Sequence, residues 1–256
     1  MRSLTKEGLA SAALHLAKRD RDLAEVLERH GPPPMWARKP GFPTLVRIIL
    51  EQQVSLASAR SVFQRLAANA APFTAARFIE LGEPYFRSLG ITRQKAAYCL
   101  HLARAIAAGH LRLAGMARVS DSAAKAALTQ ITGIGPWTAD IYLLMALRRA
   151  DVWPSGDLAL VAAARNLKKL RGHPTPKAIA EIAEGWRPFR SVAARMLWQY
   201  YLAGGGRELE SERVPRGAGG WDFRSADRAR TSCDMLLPDG FHGLSYGKEG
   251  ERATND

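Results

Sequence analysis

The stretch Leu128-Thr129-Gln130-Ile131-Thr132-Gly133-Ile134-Gly135-Pro136-Trp137-Thr138-Ala139-Asp140 carries the most specific chemical signal in the chain. A helix ending near Thr132 runs into two glycines, and Pro136 stands where the first turn of a new helix tolerates proline. This pattern predicts a helix, a short hairpin and a second helix. The N–H groups opening the second helix have no backbone partners, and Gly133 and Gly135 bring no side chain to block approach. Such a turn can hold a phosphate irrespective of base sequence. Gly133, Gly135 and Thr138 are therefore candidate DNA contacts. A plain turn between two core helices would use the same residues. Downstream, Trp153-Pro154-Ser155-Gly156-Asp157 closes a Gly/Pro loop with an aspartate before the apolar run Leu158-Ala159-Leu160-Val161, a position where aspartate caps a helix well.

The elements that must position these residues are helical. Residues 1–204 are rich in Ala and Leu with apolar residues three and four apart and almost no period-two alternation, which predicts an all-α protein. Helices are predicted over 6–29, 43–68, 74–81, 92–108, 121–131, 136–148, 157–169, 175–185 and 189–203, with Ser122 and Pro188 as start signals. Three segments follow: an N-terminal helix and Pro-rich connector over 1–41, a helical core over 42–204, and a weakly ordered tail over 205–256, beginning in the Gly204-Gly205-Gly206 run.

Composition narrows the function classes. The chain has 256 residues and 47% hydrophobic content, so wholesale disorder is excluded. Cys99 and Cys233 are the only cysteines, which excludes a disulfide framework, a zinc ribbon and a four-cysteine cluster. The six histidines show no HxxxH or HExxH spacing, so no side-chain-bound catalytic metal is expected. The net charge of +13 is uneven: residues 1–204 carry 29 Lys/Arg against 14 Asp/Glu, and residues 205–256 carry 8 against 10. A basic core favours a polyanionic partner, nucleic acid before an anionic membrane surface. No apolar run is long enough to cross a bilayer and the N-terminus lacks a signal-peptide core, so a cytoplasmic location, on the nucleoid, is expected.

The hairpin and the downstream aspartate together resemble the helix-hairpin-helix DNA glycosylase superfamily, in which an essential aspartate follows about 20 residues after the position just past the turn; Trp137 to Asp157 spans 20. Three further blocks are similar to its 3-methyladenine DNA glycosylase II group: Ile48-Ile49-Leu50-Glu51-Gln52-Gln53-Val54-Ser55, Gly90-Ile91-Thr92-Arg93-Gln94-Lys95-Ala96, and Trp186-Arg187-Pro188-Phe189-Arg190-Ser191-Val192-Ala193. The resemblance covers about residues 42–204 and implies a two-lobed helical fold with the active site in the cleft between the lobes. The best-known bacterial member has an additional N-terminal α/β domain, so this chain resembles a compact form in which Trp36 or the connector would supply that wall.

The resemblance assigns roles residue by residue. Asp157 would stabilise the oxocarbenium-like sugar formed when an N-glycosidic bond breaks. Trp137 stands where bifunctional members carry a nucleophilic lysine, which implies a monofunctional, water-using enzyme that leaves an abasic site. Trp137 and Trp198 match aromatic positions that would stack on a cationic alkylated base such as 3-methyladenine or 7-methylguanine. Leu158 adjoins that pocket at a position that is aromatic in the best-known member. Gln53 matches the wedge that fills the space left by the flipped base, and Arg93 and Lys95 could face phosphates. No cofactor is implied beyond a monovalent cation at the hairpin, on the carbonyls of Thr129, Ile131 and Ile134. The expected partner is duplex DNA carrying alkylated bases, bound by a monomer. A non-catalytic clamp that uses only the hairpin, or a glycosylase for oxidised or mismatched bases, stays open at this point.

Overall fold

The structure, a computed structural model, describes residues 3–54 and 56–205; the proposed tail lies almost wholly outside the described residues. Among the described residues all regular structure is helical. The α-helices are α1 (Lys6–Arg19), α2 (Arg21–His30), α3 (Phe42–Glu51), α4 (Leu56–Asn69), α5 (Ala75–Ser88), α6 (Arg93–Ala107), α7 (Asp121–Thr129), α8 (Pro136–Met145), α9 (Leu158–Leu167), α10 (Pro176–Glu184) and α11 (Arg190–Tyr200).

Side-chain caps set most of the helix starts. Thr5, Asp20, Thr74, Thr92, Ser120, Asp157 and Thr175 each accept a hydrogen bond from a backbone N–H in the turn they open. Two of these caps correct the sequence reading. The single helix expected over 6–29 divides at Asp20, whose carboxylate takes the N–H groups of Asp22 and Leu23. The start expected at Ser122 lies at Ser120, whose hydroxyl takes the Ala123 N–H. The helix expected over 43–68 also breaks: Gln52 turns extended at ψ 126° and Gln53 adopts a left-handed φ of 55°.

Helices α3 to α8 pack on one another to form one lobe, while α1, α2, α9, α10 and α11 form the other. The first lobe is centred on Leu45, Ile48, Ile49, Phe78, Phe86 and Leu102, the second on Leu16, Leu23, Val26, Ala163 and Leu197, all buried. Each of the Leu, Ile, Val and Phe side chains among them contributes about 1.5–3 kcal/mol when withdrawn from water. Residues 3–41 thus belong to the second lobe. Helix α8 is buried on every side from Thr138 to Met145 and ties the lobes together. The Arg195 guanidinium of α11 donates to the Leu144 carbonyl of α8 at 2.8 Å and to the Met35 carbonyl of the connector at 2.9 Å. The Tyr142 hydroxyl accepts the Gly41 N–H at 3.0 Å. The N-termini of α8 and α9 consequently meet where the lobes meet.

Candidate active site

Gly156, with a φ of +87°, turns the 153–156 loop so that Asp157 opens α9. The Asp157 carboxylate is only 2% exposed. Its Oδ1 accepts the Leu160 N–H at 3.0 Å and the Trp198 indole N–H at 3.3 Å; its Oδ2 accepts the Trp137 indole N–H at 3.0 Å. Capping and a second task therefore coexist: the backbone uses one oxygen, and two tryptophans fix the plane of the group. Burial raises the Asp157 pKa above the ordinary aspartate value, outweighing the opposing bonds from Trp137, the α9 backbone and Trp198. A helix start alone would have lowered it. The result is a desolvated carboxylate aimed by its neighbours, an arrangement suited to stabilising positive charge beside it.

The two tryptophans are placed differently from one another. Trp137, in the first turn of α8, is half-buried and carries the bond to Oδ2. Trp198 is wholly buried, with its N–H on Asp157 and its ring edge-to-face with Trp36 at 6.3 Å. The expectation that Trp198 stacks on a base is corrected in this conformation: core packing covers the ring, and it serves Asp157. Leu158 is 46% exposed beside the carboxylate, which leaves an apolar surface at the mouth of the site.

The hairpin has the shape expected, with its glycines in different roles. Gly133 has a φ of +98°, and a Cβ there would lie 2.3 Å from the Tyr98 ring, so this glycine lets the turn rest on α6. Around Gly135 a Cβ would meet nothing within 4 Å, so the bare backbone facing solvent is here. Gly135 caps α8 without a side-chain bond, which leaves the Trp137 and Thr138 N–H groups at a helix N-terminus. The Thr138 side chain does not project toward a ligand: it is 2% exposed, and its hydroxyl accepts the Gln52 amide at 2.9 Å. Of the Thr138 donors, only the backbone N–H stands at the start of α8. Of the three carbonyls expected to hold a cation, that of Ile131 accepts the Ile134 N–H at 2.9 Å, while those of Thr129 and Ile134 take no backbone hydrogen bond among the described residues.

Gln53 is exposed at the break between α3 and α4, close to the hairpin through its neighbour Gln52. Arg93 is exposed and paired with Glu83 at 3.3 Å. Lys95 does not face outward: its amine donates to the Leu50 carbonyl at 2.7 Å, and burial lowers its pKa to about 8. Sequence reasoning missed the inward tasks of Gln52, Tyr98 and Arg195. A Gln-Gln pair just after an apolar helix was visible, but nothing in one sequence separates the inward glutamine from the outward one. Among the described residues no group of three His, Cys, Asp or Glu could hold a metal ion, and no helix is long and apolar enough to cross a membrane.

An all-helical fold of two lobes, with a glycine hairpin at their junction and a buried, indole-held aspartate behind it, defines a helix-hairpin-helix protein with the makings of a glycosidic site. The chain belongs to the HhH-GPD superfamily of base excision DNA repair proteins, whose family model matches residues 46–188. It is 29% identical over 198 residues to DNA-3-methyladenine glycosylase 1 of Schizosaccharomyces pombe, covering 75% of this chain and 87% of that protein. It is 32% identical over 109 residues to DNA-3-methyladenine glycosylase of Bacillus subtilis, covering 43% of this chain and 36% of that one. Among solved structures it is similar to the S. pombe 3-methyladenine DNA glycosylase in complex with abasic DNA, with a TM-score of 0.70 and 26% identity over 76% of this chain and 98% of that one.

Proposed function

We propose that the protein is a monofunctional DNA glycosylase of base excision repair that flips alkylated bases, 3-methyladenine and 7-methylguanine among them, out of duplex DNA and hydrolyses the N-glycosidic bond. The observation that carries this reading is the Asp157 carboxylate, buried at the lobe junction and held by the indole N–H groups of Trp137 and Trp198. The names of the relatives support the substrate class, and the relative solved with abasic DNA supports the partner and the product.

In this mechanism the hairpin holds the backbone through the α8 N-terminus, Gln53 enters the duplex, and the extruded nucleotide places C1′ near Asp157. The C1′–N bond breaks with its electron pair going to the base. A base alkylated at N3 or N7 is already cationic, so it leaves neutral and needs no general acid. The sugar acquires positive charge, which the carboxylate stabilises at close range in a dry site. Water then adds at C1′ and loses a proton, giving an abasic site. Trp137 supplies no amine, so no Schiff base forms and the strand stays intact. Its half-buried ring and the apolar Leu158 would border the flipped base. The free carbonyls of Thr129 and Ile134, with that of Ile131, fit a monovalent cation, which would supply positive charge beside a DNA phosphate. The enzyme acts as a monomer on chromosomal DNA.

The test is release of free bases from methylated duplex by the purified protein, with strand integrity followed before and after mild alkali. Free 3-methyladenine or 7-methylguanine, with breaks only after alkali, is the expected result. Tight DNA binding with no released base would reduce the protein to a clamp, and breaks before alkali would make it a lyase.

A further inference from the structure

Gln52 and Gln53 are adjacent, yet the chain sends them in opposite directions. Gln53 is exposed in a left-handed conformation, φ 55°, which a side chain this large rarely adopts unless its surroundings hold it. Gln52 points inward and uses both amide hydrogens on the hairpin: one goes to the Gly133 carbonyl at 3.0 Å in the turn, the other to the Thr138 hydroxyl at 2.9 Å in the first turn of α8. One side chain therefore spans both halves of the hairpin. Helix α6 forms a common floor beneath. Lys95 bonds the Leu50 carbonyl at the end of α3, and three residues on, the Tyr98 ring lies directly under Gly133.

We propose that Gln52 is a positioning residue that locks the Gln53 wedge to the phosphate-binding hairpin, so that gripping the backbone and filling the vacated base site occur as one rigid unit. This rests on the glycosylase reading above for the tasks of Gln53 and the hairpin. The two donors of Gln52 fix the torsions of the residue before the wedge, and the hairpin they engage is the part of the protein held by DNA. With the lock in place, insertion of Gln53 needs no separate ordering of the loop. Without it, the hairpin still binds a phosphate, but the wedge must find its position afterwards.

The decisive experiment compares Gln52→Leu, Gln53→Ala and the double variant on methylated duplex and on methylated single strands, where no partner base must be replaced. Binding to abasic-site and undamaged duplex, and fluorescence of 2-aminopurine placed opposite the abasic site, are followed alongside. Gln52→Leu is expected to slow base release from duplex by about tenfold or more while changing single-strand release by less than about twofold. Its preference for abasic over undamaged duplex and its 2-aminopurine signal should fall with the duplex rate. The double variant should be no slower than Gln53→Ala within about twofold, because one residue acts through the other. Equal losses on duplex and single strand would make Gln52 a purely structural residue, and losses that multiply in the double variant would make the two glutamines independent; either overturns the proposal. Thr138→Val, which removes one of the two acceptors, provides a milder version of the same comparison should Gln52→Leu fold poorly. If the wild-type protein releases no base, the glycosylase reading fails by itself, while the abasic preference and the 2-aminopurine signal still decide the lock.

Discussion

Replacing Trp137 by Phe isolates the bond between its indole and Asp157. The ring stays, and the N–H donated to Oδ2 at 3.0 Å is removed. Oδ1 keeps its bonds from Leu160 and Trp198. A hydrogen bond to a charged group is worth about 1.5–3 kcal/mol, and in a buried site the upper half of that range applies. Asp157 must be ionised to stabilise a cationic sugar, and its pKa is already raised by burial, so base release should rise with pH to a plateau whose acid limb lies above the ordinary aspartate range. Since about 1.4 kcal/mol corresponds to one pH unit in an ionisation midpoint, the Trp137→Phe limb should move upward by roughly one and a half to two units. The assay is single-turnover base release from methylated duplex across pH, under conditions where strands remain paired. A rate that falls by the same factor at every pH, with the limb unmoved, would show that Trp137 serves only as a stacking surface and would refute the bonding role.

Gly133→Ala should destabilise the fold by about 2–4 kcal/mol in urea unfolding, from the strain of a side chain at φ +98° and the collision of its Cβ with Tyr98 at 2.3 Å, and should weaken DNA binding; a change under about 0.5 kcal/mol would show that the hairpin is not seated on Tyr98. Asp140, buried with the Lys125 amine at 2.7 Å, has its pKa raised to about 6 by burial against an ordinary 3.8. Its folded form therefore holds its proton more tightly than the unfolded chain, and stability relative to Asp140→Asn should decline as pH rises from about 4 to about 6, by roughly 2–3 kcal/mol. A relative stability that rises over this window would show that attraction to Lys125 outweighs desolvation. Affinity for undamaged duplex should drop about a hundredfold between 50 and 200 mM salt if roughly four phosphates are neutralised, and a flat response would remove the hairpin and the basic core from DNA binding.

The helical class, the hairpin and the aspartate were legible because each leaves a local mark, whereas the two-lobed arrangement followed only from the resemblance to the glycosylase superfamily. Apolar residues at helical spacing, two glycines before a proline, and an aspartate at the end of a Gly/Pro loop all express short-range physics. Helix starts were harder. Asp20 and Ser120 each act only through short-range cap bonds to the turn they open, and an Ala-rich sequence continues to look helical across such a break. Hardest were the inward-facing polar groups. Thr138 and Lys95 read as surface residues from their types, and only the packing of α3, α6 and α8 shows that one serves Gln52 and the other ends α3. Trp198 reads from its type as a stacking surface for a base, yet whether an indole presents its face or its N–H depends on what covers it, here Trp36 from a connector 162 residues away in sequence.

The most direct measurement is base release by Asp157→Asn under single-turnover conditions, with abasic-DNA affinity and thermal stability measured on the same preparation. Asparagine keeps the cap through its one oxygen and relieves a buried charge, while its amide nitrogen cannot accept the Trp137 N–H, so the variant should fold about as stably as wild type and bind abasic DNA within a few-fold of it. Its rate of base release should fall by about a hundredfold or more. Base release by a well-folded Asp157→Asn at the wild-type rate would contradict the assignment of the carboxylate to the chemistry.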